Sequence, residues 1–448
     1  MNRHSIILAG GKGSRMLSEK AKVLQPLGGR TMLAHIVQKA NLTADQLTLV
    51  VGFDMENVKQ ELKNVSIEAA CVEQADQIGT ADAVKSALPR IAQTDKILIL
   101  YGDVPLIRKE TMENLFTQQQ TTILTTCLDD PSGYGRVLKD ENGYAVGIVE
   151  EKDADRTQLL EQEVFTGVMV VAGELLHNYL SLIRNKNNAG EYYLTDLIKI
   201  LSEKGFKIER LQVPAKETLG ANTRAELEIL EKTLRQMKAK DLLDMGITLV
   251  DQKRVDVRGD VTAGKDCLID VNAILVGKVE LGNNVMIGPN TYIEDTVIGD
   301  NTSIQPFSHI CNANIGANCS VGPYARLREG TVLEDAVKIG NFVETKKTSL
   351  AEGSKASHLS YLGDATIEHN VNIGAGTITC NYDGKDKHPT KIREGSFIGT
   401  NSSLVAPINI GKNAYVGAGS TITKDIPDNA LGVARSKQTI KENWSKKK

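Results

Sequence analysis

Between residues 281 and 417 an apolar residue followed by glycine recurs on a steady beat. The pairs are Leu281-Gly282, Ile287-Gly288, Ile298-Gly299, Ile315-Gly316, Val321-Gly322, Ile339-Gly340, Ile373-Gly374, Ile398-Gly399, Ile410-Gly411 and Val416-Gly417, and most gaps are six residues or a multiple of six. Where the glycine is missing the apolar member often stays, as at Ile293, Ile304, Leu327, Leu333, Leu404 and Ile422. A hexapeptide period held over so many turns predicts a parallel β-helix. Each unit supplies one short strand of a triangular coil. Its apolar residue points inward, and small or polar residues turn the corner. Chance pairs in an open sandwich would not keep phase. The beat breaks over Ile378–Ser396, around CNYDGKDKHPTKIREG. That polar, charged stretch is predicted to leave the coil, as a functional or disordered loop.

The first 220 or so residues follow another pattern. Ser5–Ala9, Leu47–Gly52 and Lys96–Tyr101 read as buried strands, and Met32–Ala40 and Ala81–Ala87 as helices. This alternation predicts a mostly parallel sheet covered on both faces. Between the two halves, Leu227, Leu230, Leu234 and Met237 recur at helical spacing among charged residues. They predict a long amphipathic connecting arm. The expected boundaries are therefore 1–222, 223–245 and 246–448.

A chain of 448 residues has room for such a division, and a net charge of −3 gives no global field for nucleic acid. The terminal WSKKK reads as a solvated basic end. Six scattered cysteines without a CxxC pair favour reduced, structural thiols. The apolar run near the N-terminus is too short for a signal-peptide core or a membrane span. Together these features predict a soluble cytoplasmic protein.

The first predicted strand runs into LAGGKGSRM, Leu8 to Met16. A strand, a glycine-rich turn and a helix place backbone N–H groups around an anion. The loop fits neither of the common phosphate-binding patterns, and alone a plain structural turn explains it equally well. Lys12, Arg15 and, slightly later, Lys22 in AKVLQPL add cations suited to a triphosphate. Tyr101-Gly102-Asp103 places a carboxylate at a strand's C-terminal end, where open parallel sheets bind ligands. A single carboxylate with phosphate and water suits magnesium, although an Asp after a strand is more often a cap. Among seven histidines, His358 in KASHLSYLGDA stands out only through its neighbours.

Taken together, the motifs LAGGKGSRM, QIGTADAV, YGDVPL, GYGRV, GIVEEKDA and GEYYLTD, then GPYARLREG, GNFVETKK, SHLSYLGDA, NIGAGTITCNYDGKDKHPT and LVAP, run in order from about residue 5 to 440. The chain resembles the bacterial bifunctional N-acetylglucosamine-1-phosphate uridyltransferase / glucosamine-1-phosphate acetyltransferases. The resemblance implies a Rossmann-like α/β nucleotidyltransferase domain, a long connecting helix and a left-handed parallel β-helix. It also implies a role in cell-envelope precursor synthesis and a homotrimer that shares its acetyltransferase sites, with no nucleic acid and no membrane insertion.

In the first half the resemblance makes UTP, N-acetylglucosamine-1-phosphate and Mg2+ the reactants. Leu8, Ala9, Gly10 and Gly11 then hold the nucleotide, and Arg15 and Lys22 neutralise phosphate charge. Gln74, Gly79 and Thr80 match the uracil-reading positions. Tyr101 and Gly102 belong to the same site, Asp103 and Asn222 match metal ligands, and Gly135, Glu150 and Phe165 match sugar-side positions. In the second half His358 is the implied base for acetyl transfer from acetyl-CoA. Arg328, Lys346, Tyr361, Asn372 and Lys387 match contacts to glucosamine-1-phosphate. Ala375, Asn381, Tyr382, Thr400, Ala418 and Arg435 match contacts to the coenzyme.

Departures from the family pattern are Gly10 and Ser14 for Ala and Thr, Ala21 for a proline before Lys22, Phe165 for an asparagine, and Thr400 for a serine. Phe165 lacks the asparagine's hydrogen bond and is expected either to line the acetyl pocket or to join the core. Ala21 is expected to hold Lys22 less rigidly. Two other readings are a single-activity nucleotidyltransferase with a regulatory β-helix and a non-catalytic scaffold. Lys346, His358 and Asn381-Tyr382 argue against the first; Arg15, Lys22 and Asp103 argue against the second.

Overall fold

Along the strand Lys96–Tyr101 the apolar side chains alternate: Ile97 and Ile99 join one buried cluster, Leu98 and Leu100 another. A strand apolar on both faces is the mark of a sheet covered on both sides. The computed structural model, which describes residues 2–447, bears this out. The central order of the sheet is Ile208–Gln212, Thr121–Cys127, Glu163–Ala172, Lys96–Tyr101, Arg3–Leu8, Gln46–Val51 and Ala70–Glu73. The last four of these strands run parallel, and Glu163–Ala172 runs antiparallel to both its neighbours. A hairpin, Arg136–Lys139 with Ala145–Val149, attaches where Val164 pairs Arg136. The chain leaves Arg3–Leu8 toward one edge and returns at Lys96–Tyr101 on its other side. The C-terminal ends of these two strands therefore form a topological switch point, where open sheets take ligands.

After the helix Arg224–Asp244 the chain winds into a left-handed parallel β-helix. Three columns of inward residues fill it. One column is Ile269, Ile287, Ile304, Val321, Ile339, Ala356, Ile373, Ile398 and Val416, each paired with the next. The strands are only two to four residues long over much of the coil. The glycine after the inward residue answers to coil stacking: a Cβ on Gly299 would lie 2.6 Å from the Gly316 carbonyl carbon on the next coil. At other corners asparagines adopt positive φ and bond one another, Asn284 to Asn301 at 3.1 Å and Asn301 to Asn318 at 3.3 Å.

One expectation is revised. The break in the period is shorter than Ile378–Ser396. Ile378–Cys380 and Thr390–Ile392 are strands of the coil, and Ser396 is buried against it, bonding Gly411 O. Only the segment between Cys380 and Thr390 leaves the coil, closed by an antiparallel bridge between Tyr382 and Lys387. The chain forms two compact units that divide between Leu234 and Arg235, inside the connecting helix. In the first unit Leu230 and Leu234 are buried, and Glu231 accepts a 2.8 Å bond from Gly28 N. In the second, Leu242 joins the β-helix core. The six cysteines are free. Of the basic tail, Trp444 is exposed, and the side chains of 446–448 lie outside the described residues. No helix among the described residues is long and apolar enough to cross a membrane.

The inward columns leave little room to relax. Ile339→Ala is expected to cost about 2–5 kcal/mol of stability, read by urea denaturation. A cost below about 1 kcal/mol would mean that the coil closes over the gap.

Candidate active sites

At the switch point Leu8 pairs Tyr101, so the glycine loop and Asp103 leave the sheet side by side. Gly102 N donates to Leu8 O at 3.0 Å. Within the loop Gly13 takes a left-handed φ of 66°, and a Cβ there would lie 2.6 Å from Lys22 Cβ. Only glycine satisfies both demands. The turn Ser14–Met16 buries Met16 and exposes Arg15. The loop ends at Ala21, whose N–H donates to Asp54 Oδ2 at 3.0 Å. A proline has no N–H to make that bond.

Lys22 Nζ meets two oxygens at once, Asp103 Oδ2 and, at 2.8 Å, Asn222 Oδ1. Asn222 is presented by the start of the long helix. Thr223 Oγ1 accepts Glu226 N, and Glu226 Oε2 accepts Asn222 N at 2.7 Å. This variant of a capping box is signalled by Thr223 and Glu226 three residues apart. A carboxylate oxygen and an amide oxygen aimed at one cation are the hard donors a divalent ion takes. The described residues contain no group of three or more His, Cys, Asp or Glu able to hold a metal. An ion here would draw most of its ligands from substrate and water.

Arg15, Tyr101, Asp103, Gly135, Glu150, Phe165 and Asn222 line one cleft of about 730 Å³. Phe165 does two things: it is 6% exposed within the core cluster, and its remaining surface faces this cleft. Glu150 accepts a 3.1 Å bond from Thr195. Burial raises its pKa above the usual carboxylate range, although that bond pulls the other way. Burial likewise pushes the Tyr101 hydroxyl far up, with Thr80 opposing and Glu150 and Asp103 adding to it. Gln74, Gly79 and Thr80 gather beside the loop. Gln74 Nε2 bonds Gly79 O and Asp82 at 2.9 Å, and a Cβ on Gly10 would lie 3.1 Å from Gln74 Oε1. Gly79, at φ 136°, lies against the Tyr192 backbone, and Thr80 Oγ1 accepts Leu194 N at 2.9 Å. Lys12 turns instead to the Phe53 ring, 5.3 Å from its centroid. Tyr134 and Thr195 also line the cleft. They fall inside GYGRV and GEYYLTD, and nothing in those strings ranks one residue above another.

In the second unit His358 is exposed at the end of the strand Lys355–His358 and pairs Asn341 one coil earlier. Its Nδ1 is 2.7 Å from Asn341 Oδ1. An amide oxygen only accepts, so Nδ1 carries the proton, and in the neutral ring Nε2 is the nitrogen with the open lone pair. Asn341 is a residue that sequence reasoning missed. It lies in GNFVETKK, and its only signal is a position 17 residues before His358.

The register carries His358 upward to Ala375, Thr400 and Ala418, each two residues past an inward residue of the same column. Three coil steps span about 14 Å. At the top Arg435 bonds Ala418 O at 2.9 Å. Round the corner at Leu359 lie Tyr361 and, on earlier coils of that face, Lys346 and Arg328. Arg328 pairs Glu344 at 2.9 Å and Lys346 pairs Glu329 at 3.0 Å. Asn372 faces outward beside Lys355. Asn381 Nδ2 donates to Asp364 at 2.5 Å and, with Tyr361 OH, fills the space that a Cβ on Gly363 would take. Tyr382 is exposed with Lys387 Nζ over its ring.

Residues 5–166 match the MobA-like NTP transferase domain, 257–351 the GMPPB C-terminal domain and 389–424 the bacterial transferase hexapeptide of six repeats. A solved structure of a putative glucose-1-phosphate thymidylyltransferase from Bacillus anthracis, in complex with a sucrose, aligns at a TM-score of 0.42 and 19% identity over 51% of this chain and 94% of that one. The Bifunctional protein GlmU of Marinobacter nauticus is 46% identical over 99% of both chains. That of Cellvibrio japonicus is 49% identical over 98% of both. With such identity sustained across both halves, the chain belongs to the bifunctional GlmU family.

Proposed function

We propose that the chain makes UDP-N-acetylglucosamine in two steps, one on each unit. The β-helix transfers an acetyl group from acetyl-CoA to glucosamine-1-phosphate. The α/β unit then transfers uridylyl from UTP to the product. The observation that carries this reading is that each unit holds a different polar arrangement: Lys22 between Asp103 and Asn222 in one, His358 on Asn341 in the other. We assign 1–222 to the uridyltransferase, 223–245 to the arm and 246–448 to the acetyltransferase.

In the first step His358 Nε2 takes a proton from the sugar ammonium, so that the amine can attack the thioester carbonyl. The C–N bond forms, the C–S bond breaks, and the second proton lost from nitrogen passes to sulfur, so that coenzyme A leaves as its thiol. Arg328 and Lys346 hold the sugar phosphate, because two cations match its charge. Tyr361, Asn372 and Lys387 orient the sugar. The column Ala375, Thr400, Ala418 and Arg435 supports the coenzyme arm, and Asn381 with Tyr382 flanks the thioester.

In the second step the nucleophile is already a phosphate anion, so charge stabilisation and positioning do the catalysis. The sugar phosphate oxygen attacks the α-phosphorus and pyrophosphate leaves. Arg15 and Lys22 neutralise the charge that develops. Leu8 to Gly11 hold the phosphates, and Gln74, Gly79 and Thr80 hold the uracil. Tyr101, Gly102, Gly135, Glu150 and Phe165 form the sugar side. Asp103 and Asn222 would hold Mg2+, which supplies further neutralisation of the phosphates when bound.

The protein acts as a homotrimer in the cytoplasm. Support for coil-to-coil packing comes from the corner beside His358. There Phe307, Tyr324, Phe342 and Leu359 all take positive φ and stay about half exposed. Tyr324 stacks on Phe307 at 4.9 Å and on Phe342 at 5.3 Å. An apolar ridge of this kind marks an interaction surface.

Following free thiol and pyrophosphate separately tests the assignment. Asp103→Ala is expected to abolish pyrophosphate release and spare thiol release. His358→Ala should lower thiol release by about 10²–10⁴-fold and leave uridylyl transfer to supplied N-acetylglucosamine-1-phosphate intact. Loss of both activities from either change in a folded protein would sink the two-site reading. Asn341→Ala should lower kcat for acetyl transfer on the order of tenfold at unchanged KM for glucosamine-1-phosphate. A change confined to KM would make Asn341 a sugar contact instead.

A further inference from the structure

The loop that carries Lys12 and Arg15 leaves the sheet at Gly10 and returns at Ala21, and its two ends are tied to two adjacent residues, Phe53 and Asp54. Phe53 N donates to Gly10 O at 3.1 Å, and Ala21 N donates to Asp54 Oδ2 at 3.0 Å. Between these ties most of the loop is exposed, whereas Ala21 is fully buried. Asp54 heads the helix Met55–Asn64 in a left-handed conformation (φ 60°) and makes no capping bond to that helix. A residue at this position ordinarily turns its side chain to its own helix N–H groups. Here one carboxylate oxygen is held by Asn57 Nδ2 at 2.6 Å and the other reaches across to Ala21.

Ala21 in turn accepts Leu24 N at 3.0 Å and so opens the short turn Lys22–Leu24. Asp54 thus holds the Lys20–Ala21 peptide and Leu24 N the Ala21–Lys22 peptide, and together they fix the Ala21 backbone from which Lys22 leaves toward Asp103 and Asn222. We propose that Asp54 is a positioning residue for Lys22 in uridylyl transfer, locking the Lys22 turn through the Ala21 N–H. The proposal rests on the reading of Lys22 as a phosphate-neutralising cation.

The backbone of Ala21 supplies the test. Its φ of −53° lies in the range a proline ring imposes. Ala21→Pro fixes the same dihedral covalently and removes the N–H that Asp54 accepts. Asp54→Ala is expected to lower kcat for uridylyl transfer roughly tenfold, and Asp54→Asn, which keeps an acceptor oxygen, less. Acetyl transfer by the same sample should not change. In the Ala21→Pro background Asp54→Ala should have no further effect on kcat. A residue that served only its own helix would cost the same in either background.

The proposal is overturned if Asp54→Ala transfers uridylyl at the parent rate, or if its cost is undiminished in the Ala21→Pro background. Lys22→Ala separates the two levels. Full transfer by Lys22→Ala overturns the reading of Lys22. Lost transfer by Lys22→Ala, with Asp54→Ala at the parent rate, overturns only the role of Asp54.

Discussion

The second half of the molecule depends on one constraint: every coil must stack on the last with its backbone groups paired. This fixes both what can point inward and what can face out. Inward, Ile287, Ile304 and Val321 meet side chain to side chain. Outward, residues 17 or 18 apart become nearest neighbours. Asn341 and His358, distant in the chain, therefore touch. The same stacking aligns Ala375, Thr400 and Ala418 above them without any loop having to fold over the site.

The first half solves the positioning problem differently. Its polar groups come from strand ends and loops, which have no repeat to align them. Close contacts serve instead. Gly13 abuts Lys22, Gly102 bonds Leu8, and a cap at the head of the long helix delivers Asn222. Three segments far apart in sequence thus meet at one ammonium group. A cation between two oxygens neutralises their mutual repulsion, and it can change partners when phosphate arrives.

Much of this was legible in the residues. From Leu281-Gly282 to Val416-Gly417 the apolar member of each pair is buried, because the requirement it answers, coil on coil, acts at short range. Strands such as Lys96–Tyr101 were found to the residue, since both faces are apolar and turn residues bound them. The excursion was overestimated because polarity persists past the loop: Lys391 and Arg393 belong to the coil but face solvent. Asn341 and Asp54 were missed for a shared reason. Each makes a single long-range hydrogen bond, and an asparagine or aspartate in a string carries no mark of its partner. The replacement of a proline by Ala21 reads as a loss of rigidity until Asp54 is seen to hold the amide. Phe165 could be placed in core or cleft, and the strand puts it at the boundary of both.

The helix Arg224–Asp244 has a consequence for how the two halves could ever part. Its first turns complete the nucleotide-side unit through Leu230 and Leu234, and its last turns contribute Leu242 to the β-helix core. A gene fission at residue 223 would strip apolar cover from the first product, and one at residue 246 would open the base of the second. The two activities share one rod of backbone, so neither half can be inherited whole without taking a piece that the other needs.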